Sequence, residues 1–202
     1  MEKGLRGNIP ILLLAAGSSS RMGQSKQLLP INGKPLIRRM VEICLSANTG
    51  KVVVVLGANE NAHRKEIQDL PVKIVSNPDW DKGMGSSIKA GVMFITSAIP
   101  MSAGVIISVC DQPHLTAKHL IGLSQQFVPD RQLIIASDYG GAQGVPTLFD
   151  AFYFKELQQL ENTAGAKKII QKYSHAIIDV PFPEGVIDLD TIEDYNTFND
   201  NV

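Results

Sequence analysis

Five short apolar runs, each continuous rather than alternating, set the terms for any fold this chain can adopt. IPILLLAA (9–16), KVVVVLG (51–57), VKIVS (72–76), GVIISVC (104–110) and QLIIAS (132–137) are rich in Val, Ile and Leu and show no period of two. A strand with one wet face alternates, whereas a strand covered on both faces need not, so these runs imply a sheet buried between two layers. Between them lie stretches with apolar residues at helical spacing. PLIRRMVEICLSA (35–47) puts Leu36, Met40 and Ile43 on one stripe with Arg38, Arg39 and Glu42 largely off it. ANENAHRKEIQDL (58–70), SSIKAGVMFITSA (86–98) and TAKHLIGLSQQF (116–127) follow, the last with Thr116 placed as an N-cap. Strand–helix alternation at this spacing predicts right-handed crossovers and an α/β fold: a three-layer α/β/α sandwich on a mostly parallel, Rossmann-like sheet.

Beyond residue 137 the pattern loosens. DYGGAQGVPTLFD (138–150) reads as a turn into a short strand, and Pro146 demands an edge or a bulge there because it has no N–H to give a ladder. FYFKELQQL (152–160) and AGAKKIIQKY (164–173) read as helices, HAIIDV (175–180) as a last strand, and TIEDYNTF (191–198) as a closing helix capped by Asp190 or Thr191. A small appendage is expected near residues 138–185. With 202 residues and no repeat or Pro/Ser-rich linker, a single domain over 1–202 is expected.

Composition removes several function classes. No stretch approaches the ~18 unbroken apolar residues of a membrane span, and the first apolar run is too short for a signal peptide and reads better as a strand. Two cysteines, Cys44 and Cys110, cannot build a disulfide framework or a structural zinc site, so a cytoplasmic protein is expected. Cys110 and His114 flank Asp111, but two soft ligands without a third fit zinc poorly. His63, His119 and His175 read as helix-surface or strand-edge residues without partners. A net charge of −1 offers no attraction to nucleic acid or to an anionic membrane. The charge is uneven, however. Residues 1–40 carry Lys3, Arg6, Arg21, Lys26, Lys34, Arg38 and Arg39 against Glu2 alone, and residues 182–202 carry Glu184, Asp188, Asp190, Glu193, Asp194 and Asp200 with no base. Such ends would suit a site where phosphate meets one and a metal cation the other.

In open parallel sheets, ligands bind beyond the carboxyl ends of the strands. The first strand runs into AAGSSSRMGQSKQLLPING, a small-residue loop whose backbone can approach phosphate while Arg21 and Lys26 neutralise it. It is not a P-loop, since five residues separate Gly17 from Gly23 and Gln24 follows. Nor is it the G-x-G-x-x-G fingerprint, because Ser19 and Ser20 stand where glycines are needed, and a dinucleotide oxidoreductase is disfavoured on that ground.

LAAGSSSRMGQSKQLLPINGKPLI (14–37) resembles the amino-terminal motif of the nucleotidyltransferase superfamily, L-A-A-G-x-[GS]-x-R-M-x(3)-K-x-L, and within it the MobA/MocA-like branch that includes molybdenum cofactor cytidylyltransferase. The resemblance implies the nucleotide-diphospho-sugar transferase type of fold. It also implies a loop around a nucleoside triphosphate, with Leu14, Ala15, Ala16 and Gly17 against the nucleoside and Arg21 and Lys26 on its phosphates. Ala16, where guanylyl-transferring enzymes tend to carry Gly, favours CTP over GTP. SVCDQPHL (108–115) resembles the family's C-D-Q-P-x-L, whose aspartate, here Asp111, holds magnesium; the plain alternative is that Asp111 caps the following turn.

SNPDWDKGMGSSIKAG (76–91) resembles N-x-x-W-x-x-G-x-x-x-S-[LI] through Asn77, Trp80, Gly83, Ser87 and Ile88. Glycines before a helix that starts near Ser86 leave free N–H groups for a base or phosphate. Asn77, Gly85 and Ser86 are therefore read as nucleotide contacts, against the alternative of an N-cap serine, with Trp80 read as a lid on the core. VIDLDTIEDY (186–195) resembles D-I-D-T-P-E-D and makes Asp190, or else Asp188, the second metal ligand, against the alternative of a helix cap. The family pattern weakens on the acceptor side. GGAQGVPTLF (140–149) has Gln143 and Val145 where Arg and His are usual, and NTAGAK (162–167) departs from G-D-x-G-A-R.

The reading that results is a magnesium-dependent transfer of CMP from CTP to a phosphomonoester, molybdopterin foremost. Residues 9–115 form the nucleotide-binding half and 116–202 the acceptor-side half and closing metal segment, and Lys26, Arg21 and Asp111 are the working groups. A molybdoenzyme or maturation factor is an expected partner. Transfer to a sugar or alcohol phosphate, or a non-catalytic nucleotide-binding module, are the competing readings.

Overall fold

The computed structural model describes residues 8–200; Lys3, Arg6 and Glu2 of the uneven amino-terminal charge lie outside the described residues. In chain order the elements are β1 (Ile11–Leu14), a two-strand ribbon of β2 (Pro30–Ile31) and β3 (Lys34–Pro35), α1 (Leu36–Ala47), β4 (Val52–Leu56), α2 (Glu60–Ile67), β5 (Lys73–Ser76), α3 (Met84–Ala98), β6 (Gly104–Val109) and α4 (Ala117–Gln126). There follow β7 (Ile134–Asp138), β8 (Gln143–Asp150), α5 (Phe154–Leu157), α6 (Lys167–Lys172), β9 (Ile177–Pro181) and α7 (Ile192–Asp200). Seven strands form one sheet in the order β5-β4-β1-β6-β8-β7-β9.

β1 and β4, and nearly all of β6 and β7, are buried on both faces, whereas the edge strand β5 is half-buried at Ile74 and Val75 and exposed at its ends. In the buried strands successive residues feed two separate cores. Ile11 and Leu13 of β1 join Val54 and Ile106 under α1, α2, α4 and α7. Leu12 and Leu14 join Val53, Val55 and Ile107 under α3, α5 and α6. Each fully buried side chain of this kind contributes roughly 1.5–3 kcal/mol by leaving water. Helix and sheet approach so closely at α3 that a Cβ on Gly91 would collide with Leu12. The three layers and the mostly parallel sheet agree with the expectation from the strand pattern.

One expectation needs correction. Residues 138–185 are no appendage: β8 and β9 are strands of the main sheet. The expectation of an edge or a bulge at Pro146 resolves to the bulge, since β8 lies between β6 and β7 and runs antiparallel to both. It is the bulge that accommodates the proline. The β7–β8 register shifts between Ala136 and Ser137, stepping from Thr147 to Gly144, while pairing with β6 begins only at Thr147. The missing N–H of Pro146 therefore costs no ladder bond.

The bulge is pinned from the helix side. Ser137 Oγ donates to the Pro146 carbonyl at 2.6 Å, so the His119 Nε2 lying 2.7 Å away must be the donor to Ser137. His119 also stacks on Phe182 with ring centroids 4.4 Å apart, and so is no partnerless surface residue. Burial pushes its pKa down to about 4. The unfolded chain takes up that proton near pH ~6.5, so the stabilisation is complete above that pH and is lost as pH falls toward 4. Thermal unfolding at pH 7 and pH 4.5 should show the loss, and His119→Gln should shrink it by about 1–2 kcal/mol after allowance for part-exposure of the ring. An equal loss in both proteins would clear His119.

Candidate active site

The carboxyl ends of β1 and β6, the turn after β5 and the chain leading into α7 enclose a cleft of about 580 Å³. Its walls include Leu14, Ala15, Ala16, Gly17, Arg21 and Lys26 from the first strand and loop, Trp80 and Met84, and Asp111, Gln112, Tyr139, Val145, Asp188 and Asp190 opposite.

Two chain segments distant in sequence meet through one backbone bond. The Leu189 N–H donates to the Asp111 carbonyl at 2.9 Å, and that contact brings 188–190 against the end of β6. The next helix then settles what Asp190 is free to do. Thr191 Oγ1 accepts from the Asp194 N–H at 3.1 Å, and the Asp194 carboxylate accepts from the Thr191 and Asp190 N–H groups at 2.8 and 3.2 Å. This is a reciprocal cap built by Thr191 and Asp194. The Asp190 side chain takes no part in it and turns into the cleft. Asp111 likewise does not cap its own turn with its carboxylate.

Lys26 is the hub. Its Nζ donates to Asp111 Oδ2 at 2.6 Å and to Asp190 Oδ1 at 3.1 Å, with the lysine side chain 13% exposed. Burial alone would depress its pKa, but the two carboxylates outweigh that and hold the ammonium above its ordinary value. Arg21 is mostly exposed and reaches Asp190 Oδ2 at 2.9 Å. Asp188 is exposed as a residue, yet its carboxyl is pushed up to about 6, first by lost hydration in the cleft and then by Asp111 and Asp190. The cleft thus gathers more negative charge than Lys26 can balance, a condition that favours a further cation.

Among the described residues there is no cluster of three or more His, Cys, Asp or Glu side chains suited to a metal. Asp111 and Asp190 are two hard carboxylates within reach of one cation, the ammonium of Lys26. That donor set suits magnesium, which takes one or two protein carboxylates and completes its octahedron with substrate phosphates and water. It does not suit zinc. Cys110 is buried and its thiol is pushed up, chiefly by burial, so it stays protonated.

Asn77, Gly85 and Ser86 lie outside the cleft wall. Asn77 is 4% exposed and spends its amide on the Ser86 and Ser87 hydroxyls at 2.9 and 3.0 Å. Ser86 Oγ is also within bonding distance of the Asp79 and Gly83 carbonyls, and the Gly85 N–H donates to the Asn162 carbonyl at 2.8 Å. A Cβ on Gly85 would collide with the Glu161 carbonyl, so close packing explains that glycine. Trp80 packs against the core and lines the cleft as well, lying over Gly57, where a Cβ would strike its ring.

Gln112 and Tyr139 line the cleft as well, although the sequence pattern does not single them out. Gln112 is 2% exposed and its Nε2 donates to Tyr139 Oη and to the Gly185 carbonyl, each at 2.8 Å, while Tyr139 donates to the Val145 carbonyl. Burial pushes the Tyr139 phenol up to about 12, so it remains a donor. Tyr139 follows a strand end directly, which is the signal that could have found it.

With this geometry in place, the comparisons are specific. Residues 11–177 match the MobA-like NTP transferase domain. A 106-residue stretch is 39% identical to nicotine blue oxidoreductase of Paenarthrobacter nicotinovorans, covering 52% of this chain and 50% of that one, so the chain spans about half the length of that relative. Over 191 residues it is 25% identical to molybdenum cofactor cytidylyltransferase of Escherichia coli, covering 94% of each. It is 30% identical over 186 residues to a molybdenum cofactor guanylyltransferase of Cupriavidus metallidurans, covering 89% of this chain and 87% of that one. A Mycobacterium tuberculosis protein solved in complex with manganese superposes with a TM-score of 0.79 at 23% identity, covering 96% of this chain and 100% of that one, a likeness of fold.

Proposed function

The chain belongs to the family of MobA-like NTP transferase domains, matched from residue 11 to residue 177, and on that premise we propose that it transfers CMP from CTP to a phosphomonoester, molybdopterin or the molybdenum cofactor foremost, releasing pyrophosphate. The observation that carries this reading is the convergence of Lys26 and Arg21, from the loop after β1, on Asp111 and Asp190 across a cleft of nucleotide size.

An acceptor phosphomonoester is largely a dianion at neutral pH, its second pKa being near ~6, so it attacks without a general base. Its oxygen bonds to the α-phosphorus of the nucleotide while the bond to the β-phosphate oxygen breaks, and pyrophosphate leaves with that electron pair. Lys26 and Arg21 would bind the triphosphate and offset the charge gathering on the leaving group, the larger part of catalysis in phosphoryl transfer. Leu14, Ala15, Ala16 and Gly17 would hold the nucleoside against the strand end. Asp111 and Asp190 would hold magnesium, which when bound draws charge from phosphate oxygens and lowers the repulsion between two anionic substrates. Residues 9–115 then serve the nucleotide, and 116–202 the acceptor and, through Asp190, the metal. A molybdoenzyme or its maturation factor would receive the product in the cytoplasm.

Ala16 supports CTP over GTP. A second reading of the acceptor rests on the cleft wall, whose only basic side chains among the described residues are Arg21 and Lys26, with Val145 where a cationic or hydrogen-bonding residue would steady a charged ligand. That wall suits a sugar or alcohol phosphate with little charge beyond the phosphate itself. A purely nucleotide-binding module would have no use for Asp111 and Asp190 beside the phosphate-facing cations. The oxidoreductase named among the relatives finds no dinucleotide fingerprint here.

Pyrophosphate release from protein, Mg²⁺ and either CTP or GTP, across molybdopterin and simple sugar and alcohol phosphates, tests both choices. Release with CTP and molybdopterin is expected. Preference for GTP would overturn the donor, preference for another phosphate would overturn the acceptor, and no release with any pair would overturn transfer.

A further inference from the structure

The loop between β1 and β2 carries the phosphate-facing cations, yet it has no sheet ladder to hold it. It contains two single turns of 3₁₀ helix, Ser20–Met22 and Lys26–Leu28, and two residues at positive φ, Ser19 at 56° and Gly23 at 66°. What fixes it is a set of side-chain hydrogen bonds whose direction can be worked out donor by donor.

Gln27 is 2% exposed, and its Nε2 donates to the Gly17 carbonyl at 2.9 Å. A carbonyl can only accept, so the amide orientation is fixed and Gln27 Oε1 faces the two hydroxyls of Ser19 and Ser25, at 3.0 and 2.8 Å. Each serine has one proton, and each gives it to Gln27. Ser19 Oγ is then left to accept from the Lys26 N–H at 3.1 Å. Ser25 Oγ is left to accept from the ring nitrogen 2.6 Å away, Nε2 of His63 on α2. His63 must therefore carry its proton on Nε2 and leave Nδ1 bare. Nδ1 is indeed a buried nitrogen without a partner, in a residue that is 0% exposed. Burial lowers the ring's pKa, in keeping with a neutral imidazole. A fully buried histidine with an orphaned nitrogen is a costly choice for a core position, and among the described residues the one hydrogen bond of its ring runs into the nucleotide loop.

We propose that His63, Ser25 and Gln27 are positioning residues that set the nucleotide loop in its binding shape before the triphosphate arrives. This rests on the nucleotidyltransferase reading above and adds residues to it. The wire runs from His63 through Ser25 and Gln27 to the Gly17 carbonyl at one end, and through Ser19 to the Lys26 backbone at the other. Its effect is to fix the carbonyl that borders the nucleoside and the peptide that carries the central lysine, so that less ordering is left for the binding step to supply. A bond that preorganises binding should show in nucleotide affinity more than in the chemical step.

The test compares His63→Phe, which fills the space without a donor, with His63→Gln, whose amide restores one. Three quantities are read in each: CTP affinity by equilibrium titration with Mg²⁺, hydrogen exchange of the amides of residues 17–27 in nucleotide-free protein, and thermal unfolding. In His63→Phe the CTP dissociation constant should rise about tenfold, as expected for one lost buried hydrogen bond. The loop amides should exchange faster without nucleotide, and turnover at saturating CTP should fall far less than affinity. His63→Gln should recover most of the affinity and the protection. If the unaltered protein binds CTP and His63→Phe binds it equally well, the positioning role is wrong while the function stands. It is equally wrong if His63→Gln is as weak as His63→Phe and both track a lowered melting temperature, because burial alone then explains the histidine. If the unaltered protein binds no nucleoside triphosphate, the function fails first and this inference with it.

Discussion

Asp111→Ala is expected to lower pyrophosphate-releasing turnover by about 10²-fold or more while the protein remains folded, on the scale of losing one preorganised electrostatic contact at a reacting phosphate. The side chain stands at the end of a buried central strand, 2.6 Å from Lys26 Nζ. Its backbone carbonyl, which holds 188–190 in place through Leu189, survives the substitution. The geometry of the neighbouring segment should therefore persist, and thermal unfolding should move little, since truncation also relieves crowding with Asp188 and Asp190. Asp111→Asn keeps the shape and removes only the charge, and it should lose nearly as much turnover. A near-normal rate in either variant would take Asp111 out of the reaction.

Lys26→Met should be the second large loss, with nucleotide KM raised and turnover lowered together by about 10²-fold. Here a further effect separates a working cation from a structural one. The ammonium bridges Asp111 and Asp190 and so competes with any metal for them. Removing it should increase the apparent affinity for Mg²⁺ even as catalysis falls. Titration of Mg²⁺ against turnover and against thermal stability reads both signs. Unchanged nucleotide kinetics would return the loop to scaffold, and weakened Mg²⁺ affinity would contradict the competition.

The amino-terminal two-thirds of the fold was legible because its physics is local. Val52–Leu56 and Gly104–Val109 are buried on both faces, so they read as unbroken apolar runs, and both are strands of the sheet. The carboxyl-terminal third resisted for equally physical reasons. β8 opens with Gln143 and Gly144 and contains Pro146, all signals against an interior strand, and only the register shift opposite Ser137 makes the proline harmless there. That shift is a property of two strands together, and no single segment announces it.

The site divides the same way. Lys26, Arg21 and Asp111 stood out as charges beside strand ends, and the structure brings them together with Asp190. The role of Asp190 was ambiguous in sequence because an aspartate before a helix is a normal cap. The cap is built by Thr191 and Asp194, which leaves the Asp190 carboxylate turned into the cleft. Asn77, Gly85 and Ser86 looked like a glycine-rich helix start for a ligand, but their polar groups are spent on one another and on residues 79, 83, 87 and 162. His63 shows the reverse. A lone histidine in a polar helix gives no sign that it is fully buried under a loop far away in sequence.

The most direct measurement is a crystal structure of the protein soaked with CTP and Mg²⁺. The expected density has the triphosphate between the loop after β1 and the end of β6, Lys26 Nζ on its phosphates, and the cation bound by Asp111 and Asp190. A cleft that stays free of nucleotide at saturating CTP, or a triphosphate bound elsewhere with Lys26 still held between the two carboxylates, would contradict it.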